Sequence, residues 1–418
     1  MINRLVNYIS DSPTAFQAVE NLAKELDTLG YERLSEDKPF NVEKGHKYYV
    51  TRNGSSIIAF NVGKTLNTPK FKIVASHSDC PSFKIKPNGL LKDAKYTRLN
   101  TEVYGGPILS TWFDRPLGIA GRLIVKDNDE IKVLNYKSAK DFCMIPSVAI
   151  HMNRDINNGY KYNAQVDTIP LVNADKDFDL KKYLASEVSV NEVLSYDLFL
   201  YPMERGYVWA NGQYFSSSHI DNLECAYTSM MAFEDTFDDE AINVCVVFDN
   251  EEVGSLTMQG ANGDFMRLTL ERIAKDLDFA YETAVARSMM VSADNAHATH
   301  PNHGEKADAT NRPYMNEGIV IKYNANQSYT SDALSSAVFS EILKANDVPF
   351  QYFTNRSDMR GGSTLGNISN AQVSMVALDI GLPQLAMHSC FETAGVKDAE
   401  YMVKGLKAFY QTDLKLPR

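Results

Sequence analysis

The run Asp249-Asn250-Glu251-Glu252-Val253-Gly254 follows directly on the apolar stretch Ile242-Asn243-Val244-Cys245-Val246-Val247-Phe248. A β-branched run of this kind predicts a buried strand, and open α/β sheets carry their chemistry at strand carboxyl ends, so two acids are delivered to one spot. Side chains alternate along extended backbone, which predicts different jobs for Glu251 and Glu252. One can bind a metal while the other acts as a base. Further candidates occupy equivalent places: His77 and Asp79 after the strand-like 71–75, Asp294 after 289–293, and His388 in the loop beyond 373–378. Asp221 comes just ahead of a helical pattern whose apolar Leu223, Ala226, Tyr227 and Met230 face the core.

His77, Asp221, Glu252, Asp294 and His388 make a mixed nitrogen and oxygen ligand set suited to zinc, with manganese or cobalt as alternative occupants. Such a set serves two metals when one carboxylate bridges them, and two-metal hydrolytic sites hold their ions roughly 3.5–4 Å apart. Asp221 is the natural bridge. The spacing leaves open whether Glu252 or Asp294 joins His77, the other acid joining His388. Asp79 is placed to hydrogen-bond the second imidazole nitrogen of His77. Glu251 is then left to take a proton from the attacking water. Singly, an acid after a strand is more often a helix cap or a solvated loop residue, and a lone histidine an ordinary hydrogen-bonded one. Their recurrence at equivalent topological places is what points to a site.

These side chains need a sheet to hold them. Ser12 as N-cap, Pro13, then Phe16, Val19, Ala23 and Leu26, with Gly30 as a stop, predict an amphipathic helix over 12–30. Strands follow at 57–60 and 71–75. From about Ser82 to Trp209 the texture changes to short alternating runs and turn residues, with a hairpin in which 123–125 and 131–134 flank Asp127-Asn128-Asp129. The α/β alternation then resumes: helix 222–233, strand 242–248, helix 264–285, strands 287–293 and 318–323, helix 331–346 and strand 373–378. The expectation is an α/β protein with a mixed-sheet catalytic domain, residues 1–84 and 209–418, interrupted by a β-rich insertion, residues 85–208.

Composition narrows the function. A chain of 418 residues, 44% apolar, can bury a substantial core. Its net charge of -11 and lack of a Lys/Arg cluster argue against a nucleic-acid partner. No apolar run approaches the ~20 residues that span a bilayer, and the start lacks an apolar signal region, so a cytoplasmic protein without membrane association is expected. The five cysteines are scattered, odd in number and without a Cys-x-x-Cys pair, and are read as reduced thiols acting as small hydrophobes. Gly63-Lys64-Thr65 is a turn rather than a phosphate loop, because Ile58 stands where the leading glycine belongs. Ser216-Ser217-Ser218-His219 has no Gly-x-Ser-x-Gly elbow to make it a serine nucleophile. Pro301 breaks the helix that His297, His300 and His303 would need as a metal-binding stripe, leaving them to shape a loop around the site.

Ser76-His77-Ser78-Asp79, Thr111-Trp112-Phe113-Asp114-Arg115-Pro116-Leu117, Asp221-Asn222, Asp249-Asn250-Glu251-Glu252-Val253-Gly254-Ser255, Ser292-Ala293-Asp294-Asn295-Ala296-His297-Ala298-Thr299-His300-Pro301-Asn302 and Pro383-Gln384-Leu385-Ala386-Met387-His388-Ser389 occur in that order. Together, from about residue 12 to residue 410, they resemble the signature segments of the aspartyl aminopeptidase family of cocatalytic dizinc enzymes. The resemblance implies two zinc ions per subunit on His77, Asp221, Glu252, Asp294 and His388, with Glu251 as general base and Asp79 as the catalytic partner of His77. It implies a zinc-aminopeptidase-like catalytic domain with an inserted dimerisation domain, and a tetrahedral dodecamer built from dimers with its active sites facing inward. His151 matches a histidine that reaches a neighbouring subunit's active site. Lys322 matches a lysine facing the substrate side chain, and His297 and Tyr329 match further substrate-pocket positions. The implied substrates are peptides with a free N-terminal Asp or Glu. Residues 357–364 depart in detail from acidic-specific animal members, which keeps a neutral-residue aminopeptidase as the alternative. A non-catalytic scaffold or cargo role is disfavoured, because a scaffold need not retain a general base beside the metal ligands.

Overall fold

Strand Ile242–Phe248 forms where the sequence predicts it, and every one of its residues is buried. In the computed structural model, which describes every residue except Ala94, Asp235 and Arg418, it lies inside a nine-stranded mixed sheet. The sheet order is Glu32–Leu34, Lys47–Arg52, Ser56–Val62, Ile242–Phe248, Phe71–His77, Met289–Ala293, Val376–Gly381, Ile319–Tyr323 and Phe350–Thr354. From Ile242–Phe248 to Val376–Gly381 the neighbours run parallel. Register sets Phe248 beside His77 and Ala293 beside Ile380, so their carboxyl ends share one edge. Such strands are mostly apolar because both faces are covered, with Lys72, Asn243 and Asp379 as buried exceptions. Cys245 and Val247 face a layer containing helices Ile2–Asp11, Ala15–Thr28, Ile220–Phe233 and Val396–Gln411. Val244, Val246 and Phe248 alternate to the other face, packed by Phe265–Asp276 and Tyr281–Ala286.

Residues 82–202 build a separate six-stranded sheet, in the order Glu130–Lys137, Leu117–Asp127, Glu192–Pro202, Ser82–Lys92, Thr97–Tyr104 and Leu171–Asn173. Its core gathers Phe83, Leu99, Trp112, Ile119 and Leu198, and Cys390 from near the far end of the chain packs into it. The hairpin turn carries positive φ at both Asn128 (48°) and Asp129 (68°), the geometry whose twist matches the flanking strands. A third, five-stranded sheet contains Glu392–Gly395, Pro383–Leu385 and Ala296–His297 among its members. Among the described residues, no helix is long and apolar enough to cross a membrane.

Three local readings change. Ser12 does not cap the helix predicted over 12–30: it ends the preceding helix Ile2–Asp11, and the next begins at Ala15 behind the extended Thr14. The predicted helix 264–285 is two helices, Phe265–Asp276 and Tyr281–Ala286, divided where Asp278 adopts φ 55°. The strand read over 71–75 runs on to His77, which is therefore its last residue. One close approach fixes the neighbouring ligand loop: a Cβ on Gly381 would stand 2.0 Å from the Asp294 carbonyl oxygen. Only glycine lets the end of Val376–Gly381 pack against that segment.

Candidate functional site

Asp221 sits at the start of helix Ile220–Phe233 with non-helical dihedrals (φ -79°, ψ 108°) and a cis peptide bond to Asn222. The Asn222 side chain donates to the Ala293 carbonyl (2.9 Å) and accepts from the Asn295 N–H (3.2 Å), tying Asp221 to the end of strand Met289–Ala293. The Asp221 carboxylate stands between two imidazoles. Its Oδ1 is 3.7 Å from His77 Nε2 and its Oδ2 is 3.4 Å from His388 Nε2. Asp294 Oδ2 lies 3.9 Å from His77 Nε2, whereas Glu252 Oε2 lies 3.5 Å from His388 Nε2. These contacts favour one of the two pairings that spacing left open, although a donor atom of Glu252 also lies within 4.8 Å of donors on both His77 and Asp221. Each ring is oriented from its far side. His77 Nδ1 is 3.0 Å from the Asp79 backbone carbonyl, and His388 Nδ1 is 3.1 Å from the Gly106 carbonyl. In the neutral tautomer protonated at Nδ1, toward those carbonyls, each Nε2 is the nitrogen left to bind a metal in front of Asp221.

Asp79 does more than the sequence reading gave it. Its carboxylate is a longer 3.4 Å from His77 Nδ1. Its strong contacts are elsewhere: Oδ1 accepts from the Glu251 N–H (3.0 Å), while Oδ2 accepts from the Glu252 N–H (3.1 Å) and the Tyr104 hydroxyl (2.7 Å). Glu251 and Glu252 do diverge, but not through strand alternation. Asn250 turns the chain with φ 61° into a 3-10 turn, Glu251–Val253, whose successive residues are rotated by about a third of a turn. Glu252 thereby reaches His388, and Glu251 Oε2 comes within 4.0 Å of His77 Nε2.

Sequence reasoning passed over three groups. Glu392, buried, accepts from the Asp221 N–H (3.0 Å), the His388 N–H (2.8 Å) and Gln384 Nε2 (3.2 Å). Its signal was an acid opening a strand four residues after a candidate ligand. Tyr104 and the Gly106 carbonyl, which come from the end of strand Thr97–Tyr104 and just beyond, carry no local signal.

Burial, ahead of the repulsion between neighbouring carboxylates, pushes Glu251 and Glu392 up to about 8 and Asp294 up to about 6. Glu252 is held well above the usual carboxylate range for the same reasons. Burial alone would lower the imidazoles, but the surrounding acids outweigh it and hold His77 well above its ordinary value and His388 up at about 10. Asp221 Oδ1 is buried with no hydrogen-bond partner among the described residues. An orphaned carboxylate oxygen between two imidazoles, amid acids that resist ionisation, is what a divalent cation would satisfy. The donor set therefore fits zinc.

A cavity of about 380 Å³ opens over these groups, walled also by His297, Lys322 and Tyr329. Lys322 is buried, and its Nζ donates to the carbonyls of Asp294 (2.7 Å) and Asn295 (3.2 Å), 3.8 Å from Asp294 Oδ1 and 5.2 Å from the Tyr329 ring centre. Its ammonium is kept charged, burial being outweighed by Asp294 and further neighbours. His151 is not brought to this cavity. It lies exposed in the connection between Glu130–Lys137 and Leu171–Asn173.

Residues 8–410 match the family described as Aminopeptidase I zinc metalloprotease (M18). The chain is 45% identical over 425 residues to a probable M18 family aminopeptidase 2 of Clostridium novyi (strain NT), with 98% of each chain covered. It superimposes on a chain of the cryo-EM structure of the Ape4 and Nbr1 complex with a TM-score of 0.94 at 32% identity, covering 98% of this chain and 85% of that one. It is also similar to the S. cerevisiae mApe1 dodecamer, with a TM-score of 0.86 at 28% identity over 98% of this chain and 95% of that one. With the match spanning nearly the whole sequence and the metal-suited cluster inside it, the chain belongs to the M18 family of zinc aminopeptidases.

Proposed function

We propose that this aminopeptidase removes N-terminal aspartate or glutamate from peptides using two zinc ions per subunit. The observation that carries the reading is the Asp221 carboxylate, which offers one oxygen toward each of two imidazoles. One ion would be held by His77 and Asp294, the other by His388 and Glu252, with Asp221 common to both. Zinc, when bound, supplies Lewis-acid polarisation of the scissile carbonyl and of the attacking water. Glu251 takes the proton from that water and passes it to the departing amine, a role suited to a carboxylate whose proton affinity burial has raised. Asp79 acts as a positioning group, holding both the His77 ring and the backbone of the two glutamates.

Preference for an acidic side chain is supported by Lys322, a buried cation in the cavity wall with Tyr329 and His297 beside it. A neutral-residue preference is the second reading, because two of the lysine's donors are already directed at backbone carbonyls. Residues 85–208 are read as a dimerisation domain. The exposed apolar Ile131, Val133, Met152 and Val166 on this part of the chain support that reading, as does similarity to a dodecameric relative. The assembly would be a tetrahedral dodecamer in which His151 enters a neighbour's active site. Five free cysteines suit a cytoplasmic setting.

Glu251→Gln is expected to keep its zinc while kcat drops about 10²–10⁴-fold, and a zinc-replete variant with wild-type turnover would end the general-base assignment. Chelation tests the metal site through stability. Glu251, Glu392 and Asp294 have folded pKa values raised above their unfolded ones, so the metal-free folded state holds more protons than the unfolded state between the two values. The chelated protein should therefore lose stability as pH rises from about 4.5 toward 8, whereas the zinc-loaded protein should not; melting curves that coincide at pH 8 with and without chelator would refute the site.

On Asp-, Glu- and Leu-anilides with zinc added back, acidic substrates should be turned over fastest, and Lys322→Met should remove that advantage selectively; faster Leu turnover by the native enzyme would select the second reading. Light scattering should report a large homo-oligomer, and His151→Ala should lower kcat without dissociating it. A fully active monomer would contradict the assembly proposal.

A further inference from the structure

Beside the metal-facing cavity lies a second one, of about 320 Å³. Both are walled in part by His297, Phe353, Gly362 and Met387, so they adjoin. The charge of the outer cavity has one sign. Lys306, Arg356 and Arg360 line it with His297 and His300, and no aspartate or glutamate does. In a chain of net charge -11 that is a local inversion. Arg356 is already engaged: Nε and Nη2 bind Asp358 at 2.9 and 2.7 Å, and Nη1 donates to the Glu305 carbonyl. The side chains of Lys306 and Arg360 make no hydrogen bond or ion pair with a described residue.

Lys306 and Arg360 are both exposed at this wall. Lys306 feels Asp358 and Glu305 only at longer range. Cations without a close partner, in a cavity that adjoins the metal-suited one, call for an anion carried by the substrate, and a carboxylate-bearing peptide segment supplies it.

We propose that this cavity is a subsite on the leaving-group side of the scissile bond, which binds a carboxylate-bearing residue at the second or third position of the peptide through Arg360 and Lys306. The inference rests on the peptidase reading above. A peptide with its first residue against the inner carboxylates must lead its next residues through adjoining space, and here that space is basic. Substrates acidic beyond the first residue would then be drawn against the chain's overall negative field by a local positive one.

The test uses native zinc-loaded enzyme and C-terminally amidated peptides sharing whichever first residue it cleaves fastest, with Ala, Glu or Lys at positions two and three. Exposed ion pairs of this kind are worth a two- to fivefold effect at roughly 0.1 M salt. The Glu peptides should exceed the Ala peptides in kcat/KM by about that factor and the Lys peptides should fall below both. The Glu-to-Ala ratio should shrink toward one in Arg360→Gln and in Lys306→Gln, and with rising salt. A parallel arm compares short peptides with free and amidated C-termini. An Arg360-dependent gain confined to the free acid would also support the subsite, while assigning its carboxylate to the chain end rather than to a side chain. Equal kcat/KM for the Ala, Glu and Lys peptides together with no gain for the free acid, or a preference that persists unchanged in both variants, overturns the inference. Failure to cleave any peptide would instead overturn the peptidase reading beneath it.

Discussion

Repulsion among carboxylates withdrawn from water governs the architecture of this site. Asp79, Asp221, Glu251, Glu252, Asp294 and Glu392 converge at one end of one sheet, faced by His77, His388 and Lys322. Like charges a few ångströms apart in a poorly solvated space raise one another's pKa steeply, so such a cluster needs partners that hold it together. Those partners can be named. Asp79 accepts from two backbone N–H groups and a tyrosine hydroxyl, Glu392 accepts from two backbone N–H groups and an amide, and Asp294 stands beside the Lys322 ammonium. Asp221 keeps a fully buried oxygen with no hydrogen-bond partner among the described residues, and it is the acid that faces both imidazoles.

The groups suited to hold a metal and the cavity walls around them come from different kinds of segment. The ligand-suited groups lie at the ends of buried strands or in loops tied to them. The walls of the outer cavity come partly from loop segments, notably 298–303 and 355–362. Loops of this kind can change their charge without disturbing the sheet. The contrast between an acid-crowded inner cavity and a basic outer one is therefore compatible with a single rigid scaffold.

Much of this was readable in one dimension because it is local. Ile242–Phe248 announces itself by β-branched composition, and the acids and histidines follow the strands that carry them. What stayed hidden depends on partners distant in sequence or on backbone turns. Helix Ile2–Asp11 has no side-chain N-cap to mark its start, and it is recognisable by the core that receives Leu5 and Ile9. The turn through Asn250 replaces alternation with a 3-10 geometry, so the divergence of the two glutamates was expected for the wrong reason. Asp79 was read as a partner for one ring when its carboxylate chiefly grips backbone 172 and 173 residues away. Tyr104, the Gly106 carbonyl and the basic outer cavity come together only when distant stretches fold onto one another.

The contact between Gly106 and His388 spans 282 residues of chain. It joins a segment following the second sheet's strand Thr97–Tyr104 to a loop that also anchors Cys390 in that sheet's core. Until the stretch that carries His388 and Glu392 docks, neither that imidazole nor the carboxylate that holds Asp221 by its backbone is in place. The cluster is therefore a product of long-range folding, which the strands and acids of the central sheet do not complete by themselves.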